Sequence, residues 1–90
     1  MLNTFENLFK LVRERKNTPV EGSYTNKLLS DKSLGKEKVL EEINELIEAV
    51  ENNSNKIHEA ADVLYHLIVY LEANQINIED VMEELNKRKK

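Results

Sequence analysis

The sequence contains no cysteine and no tryptophan, one proline and two glycines. Without cysteine there are no disulfides and no thiolate metal sites, a composition that fits a reducing compartment. With so few residues that break or bend a backbone, long helices joined by few turns are expected. No apolar run approaches the length of a membrane span, and the N-terminus shows no signal-peptide hydrophobic region. A soluble chain, acting in the cytoplasm and away from membranes, is therefore expected. Ninety residues leave room for a single domain, residues 1–90, with a modest core that a partner subunit would enlarge.

What the sequence has in quantity is charge. A third of its residues are charged, and the formal net charge is −4. Six of the seventeen acids lie between Lys36 and Asn52. The cations concentrate instead at the end, in "KRKK", Lys87 to Lys90, where they suit the negative end of a helix dipole. The acidic balance elsewhere argues against a nucleic-acid partner.

Helical periodicity runs through most of the chain. Phe5, Leu8, Phe9, Leu11 and Val12 predict a first helix from about Leu2 to Lys16. "NTPVEG", Asn17 to Gly22, breaks it, because Pro19 disfavours helix at Thr18. "SYTNKLLSD" reads as a short helix with Ser23 as N-cap, and Asp31 to Gly35 as a second loop. Apolar residues at 39, 40, 43, 46, 47 and 50 form the tightest stripe. "NNSN", Asn52 to Asn55, ends that helix, with Ser54 or Asn55 available to cap the next. The next helix carries a stripe of its own through Ile57, Ala61, Leu64, Tyr65, Ile68 and Leu71. The short link predicts antiparallel packing of these two helices. A last helix starts at Asn77, with Asp80 in a capping-box-like position. There is no strand pattern. The expected fold is all-α, an antiparallel bundle of four to five helices completed by dimerisation.

The stretch "VLEEINELIEAVEN", Val39 to Asn52, holds five glutamates. Glu41, Glu48 and Glu51 suit a solvated face. On a helical wheel Glu42 falls at the edge of the apolar stripe, with Glu45 and Lys38 close by. On the following helix Glu59, Asp62 and His66 share one flank. Two antiparallel helices would thus bring two carboxylates each to a common cleft. Crowded carboxylates repel, and burial raises their pKa values, so a cation among them is implied if they converge. Oxygen ligands at this density suit Mg²⁺, with Mn²⁺ as a substitute. The same residues also fit a solvated acidic face, as in a helical interaction module without catalysis. Spacing alone leaves both open.

Longer segments carry a family resemblance. "EGSYTNKLL" from Glu21, "KVLEEINELIEA" from Lys38 and "HEAADVLYHLIVYL" from His58 resemble phosphoribosyl-ATP pyrophosphohydrolase. That family is the histidine-biosynthesis branch of the all-α, MazG-like nucleotide pyrophosphohydrolase superfamily. The resemblance runs from the first helix to "DVMEELNKR". It implies hydrolysis of phosphoribosyl-ATP to phosphoribosyl-AMP and pyrophosphate by a homodimer. It also implies that Glu42, Glu45, Glu59 and Asp62 are Mg²⁺ ligands, and that Glu41, Glu42 and Glu45 form the catalytic acidic motif, with Glu41 a candidate base. Ser23, Tyr24, Lys27 and Lys38 are implied to lie near a small-molecule nucleotide. Leu40 departs from the pattern, which carries glycine just before the paired glutamates, and the substitution is expected to fill space between helices or narrow the pocket. A housecleaning enzyme of the same superfamily, acting on free nucleoside triphosphates, is the alternative. His66 is expected to serve a ligand carboxylate from behind, and His58 to be an exposed first-turn residue.

Overall fold

The structure, a computed structural model, describes residues 1–89. They form five helices and no strand: α1 (Asn3–Asn17), α2 (Tyr24–Ser30), α3 (Lys32–Asn52), α4 (Lys56–Ala73) and α5 (Ile78–Lys87). No described helix is long and apolar enough to cross a membrane.

Local chemistry explains most boundaries. Ser23 caps α2, its hydroxyl accepting the Asn26 amide at 3.3 Å. Gly22, at φ 81°, takes the backbone bend that precedes this cap. The expected loop from Asp31 to Gly35 is absent. Asp31 alone separates α2 from α3: its amide closes α2 onto Lys27, and its carboxylate caps α3 at the Leu34 amide, 3.0 Å away. One acidic side chain therefore does what five residues of loop were expected to do, and Gly35 sits inside the helix. At the other end of α3, Asn53 takes the left-handed conformation that asparagine tolerates, and the Ser54 amide turns back to Ala49. Asn55 is also left-handed and makes no side-chain cap, so neither of the residues expected to cap α4 does so through a helix N-cap bond at that position.

α4 is the central element. It packs along α3 as the second arm of an αα-hairpin and also touches α1, α2 and α5. The core gathers Val12 of α1, Leu28 of α2, Ile68 and Val69 of α4 and Ile78 of α5. Phe5, Leu8, Leu34 and Val81 are among the half-buried residues around it. Each fully buried aliphatic side chain of this kind contributes about 1.5–3 kcal/mol. α5 is tied to the bundle by a bidentate ion pair from Arg13 to Glu79, at 2.9 and 2.7 Å. Lys16 adds a bond to the Glu72 carbonyl at the end of α4.

The apolar stripe of α3 does not face this core. Leu40, Ile43, Ile47 and Val50 are exposed, and so are Ile57 and Leu64 of α4. The residues that α3 turns inward are Gly35, Glu42 and Ala49. They recur every two turns, so two small side chains flank one carboxylate along a single face. Leu40 lies on the outward face and fills no space within the chain, contrary to one reading of its departure from the family pattern.

Candidate acidic centre and adjoining groove

The inward register of α3 has a direct electrostatic consequence. Glu42, only 8% exposed, is held against α4 between positions that cannot crowd it out. Glu45, one turn on, and Glu59, in the first turn of α4, complete a group of three. One carboxylate oxygen from each lies within 4.8 Å of the other two. Within this group Glu42 Oε2 and Glu59 Oε2 are buried with no hydrogen-bond partner. Burial, followed by the nearby Glu45, raises the pKa of Glu42, and the same two causes raise that of Glu59.

Such an arrangement is unfavourable on its own, since buried charge without a partner is costly. It becomes favourable once a cation takes the orphaned oxygens. A set of oxygen donors contributed by rigid helices suits a hard divalent ion. Asp62 stands in an adjoining group with His58 and Glu59, again within 4.8 Å of one another, and His58 Nε2 lies 3.3 Å from Asp62 Oδ2. Glu59 is thus common to both groups. The four expected ligands therefore fall on one surface, with Asp62 one step removed from Glu42 and Glu45. His58 is exposed as expected, but its contact with Asp62 was not foreseen.

The other expected site residues surround this centre. Glu41 is exposed and pairs with Lys38 at 3.2 Å, a contact that raises the Lys38 pKa. Tyr24 is partly exposed, and its hydroxyl meets His66 Nε2 at 2.9 Å. Burial raises the Tyr24 pKa, while Lys38 opposes the shift. His66 is itself buried and places Nδ1 2.8 Å from the Asp62 carbonyl. It thus contacts the main chain of a candidate ligand, whereas a contact with a ligand carboxylate had been expected.

Beyond Tyr24 lies an open groove of about 810 Å³, between the end of α1 and the face of α2. Pro19, Val20 and Leu29 contribute apolar surface to it, and Lys16, Ser23 and Lys27 polar groups. One organiser of this groove escaped the sequence reading. Asn26 accepts the Val20 amide through Oδ1 and donates through Nδ2 to the Arg15 carbonyl, both at 2.8 Å. It clamps the turn that ends at Ser23, to which Arg15 also donates at 3.3 Å. The legible signal was an asparagine three residues after a serine cap, next to a proline-broken loop that needs its amides satisfied.

The chain is similar to known proteins over nearly its whole length. The family described as phosphoribosyl-ATP pyrophosphohydrolase matches residues 3–89. A phosphoribosyl-ATP pyrophosphatase of Bacillus cereus is 43% identical over 94 residues, covering 98% of this chain and 85% of the relative. One from Methanococcoides burtonii is 42% identical, over 98% of this chain and 94% of that protein. The histidine biosynthesis bifunctional protein HisIE of Pyrococcus furiosus is 42% identical over 92 residues. This chain spans 43% of that longer protein.

Proposed function

Because the chain belongs to the phosphoribosyl-ATP pyrophosphohydrolase family, we propose that it hydrolyses phosphoribosyl-ATP to phosphoribosyl-AMP and pyrophosphate, the histidine-biosynthesis reaction. The observation that carries the reading is the convergence of Glu42, Glu45 and Glu59 with two buried, unpartnered carboxylate oxygens. Residues that merely solvate a helix would not be turned into the bundle.

Glu42, Glu45, Glu59 and Asp62 would hold Mg²⁺, or Mn²⁺ in its place. Bound there, the cation would supply charge compensation for the triphosphate and for the departing pyrophosphate. The protein's own groups do the rest. Lys38 beside Glu41 offers an ammonium to a phosphate oxygen on arrival of substrate. Glu41, released from that pair, can take a proton from the water that attacks the α-phosphorus. The bond from that phosphorus to the bridging oxygen breaks, and pyrophosphate leaves. Ser23, Tyr24 and Lys27 line the groove into which the remainder of the nucleotide would extend.

The exposed apolar face of α3 and α4 supports a homodimer. Leu40, Ile43, Ile47 and Val50 of α3 are large apolar side chains left exposed, as are Ile57 and Leu64 of α4. A second copy would cover them. A cytoplasmic setting fits the nucleotide substrate.

The experiment is a substrate comparison. Phosphoribosyl-ATP is set against canonical and modified nucleoside triphosphates in Mg²⁺, with pyrophosphate release as the readout. Preference for phosphoribosyl-ATP supports the proposal. Robust dNTP cleavage with phosphoribosyl-ATP refused would make the chain a housecleaning enzyme instead.

A further inference from the structure

Three cations gather at the groove beyond Tyr24. Lys16 and Lys27 line it, and Arg15 reaches its wall by donating to Ser23 at 3.3 Å. Among the described residues none of the three makes an ion pair, whereas Arg13, two residues before Arg15, is paired with Glu79. Glu21 is the one acid among the described lining residues. The groove is therefore positive within a chain whose net charge is −4.

Its hydrogen bonds point the same way. Ser23 Oγ accepts twice, from the Asn26 amide and from the Arg15 guanidinium, each at 3.3 Å. A main-chain amide and a guanidinium keep their protons, so the direction of both bonds is fixed. Both lone pairs of the hydroxyl are then in use, and its own proton is left to donate. Lys16 gives one N–H to the Glu72 carbonyl at 3.0 Å, which holds the ammonium against α4 with two donors to spare. Donors backed by positive charge suit an anion rich in acceptor oxygens, and a phosphate is such an anion.

The groove is distinct from the acidic centre. Tyr24 stands between them, lining the groove while its hydroxyl meets His66 of α4 at 2.9 Å. A triphosphate held at the acidic centre leaves the cations of the groove to some other phosphate. Phosphoribosyl-ATP has one, the phosphomonoester on its second ribose, which carries about −1.5 to −2 charge at neutral pH. ATP has none. Pro19, Val20 and Leu29 give the groove an apolar surface against which the rings between the two phosphate groups can lie.

We propose that the groove binds the phosphomonoester of the phosphoribosyl group, through Arg15, Lys27 and the Ser23 hydroxyl, with Lys16 adding charge. This contact separates the substrate from a free nucleoside triphosphate. It rests on the proposed function for the identity of that substrate.

The test has a kinetic arm and a binding arm, with thermal melting as the check that each variant is folded. Arg15→Gln and Lys27→Gln should each raise KM for phosphoribosyl-ATP by about tenfold, the scale of one charge-assisted hydrogen bond. Their kcat should stay within about twofold of the wild type, because the contact lies away from the scissile bond. Arg15→Lys and Lys27→Arg, which keep the charge, should recover much of the loss, and added salt should narrow the gap between wild type and the Gln variants. In the binding arm, ribose 5-phosphate should shift the amide resonances of Ser23 and Lys27 in the wild type. Ribose should not, and the Gln variants should lose the response. Gln variants whose KM stays within about twofold of the wild type would overturn the proposal, as would ribose acting as strongly as ribose 5-phosphate. If phosphoribosyl-ATP is refused, the proposed function fails and the binding arm decides alone: shifts confined to the groove keep the phosphate site, and their absence removes it.

Discussion

Glu42 on α3 and Glu59 on α4 meet across the helix hairpin, each with one carboxylate oxygen that no other group in the described residues satisfies. Glu45 stands between them and raises the pKa of both, after burial itself. The pair stores an unfavourable interaction in the metal-free protein that a bound cation would relieve.

Acid should therefore stabilise the metal-free protein through this pair. A carboxyl whose folded pKa lies above its unfolded value of 4.5 holds its proton more tightly when folded. Its contribution is fully present below 4.5 and is lost as pH rises through the raised folded value. Glu42→Gln should flatten that part of the melting profile and raise the metal-free melting temperature at pH 7.5. The rise should be on the order of 5 °C, the scale of 1 kcal/mol in a domain this small. A profile measured in EDTA with and without the substitution checks it.

Glu79 should behave in the opposite sense. Its hydrogen bonds with Arg13 hold its pKa down, to about 2. The stability it contributes is complete above 4.5 and lost as pH falls through about 2. Arg13→Ala and Glu79→Gln should each remove that acid-side loss and free α5, read as faster amide exchange over Ile78–Lys87. Because the pair is exposed, raising the salt should weaken the effect.

Substitutions on the two apolar faces should separate folding from assembly. Leu28, 1% exposed, lies in the core, and Leu28→Ala should cost about 2–5 kcal/mol in urea unfolding. Ile47 faces outward on α3. Ile47→Glu should leave the helix content intact and convert a dimer into a monomer in sedimentation. If the wild type already sediments as a monomer, the homodimer falls.

Much of this was legible in the sequence, and the misses share a cause. Helix number, the bounds of α1 and α2 and the start of α4 followed from periodicity, from Ser23 and from the break at Asn52 to Asn55. Carboxylates at 42, 45, 59 and 62 were expected to converge; the first three come together, while Asp62 joins Glu59 in an adjoining group with His58. Periodicity finds an apolar face but does not say what covers it, so the stripe of α3 read as core when four of its six residues, Leu40, Ile43, Ile47 and Val50, are exposed. The face that packs inward is Gly35, Glu42 and Ala49, which hydropathy scores as poor core; the signal was small residues at heptad spacing around an acid. Asp31 and Asn26 were passed over because their work is hydrogen bonding to main-chain groups that a sequence leaves implicit. His66 was placed on the correct flank, but its partners, the Tyr24 hydroxyl and the Asp62 carbonyl, depend on how α2 crosses α4.

Magnesium titration of the melting temperature tests the acidic centre most directly. The wild type should show a saturable rise, worth about 2.7 kcal/mol when the ion reaches a hundred times its Kd. Glu45→Gln and Asp62→Asn should each weaken or abolish it while remaining folded. A wild type whose melting temperature does not respond to Mg²⁺ or Mn²⁺, or variants that respond as it does, would contradict the account.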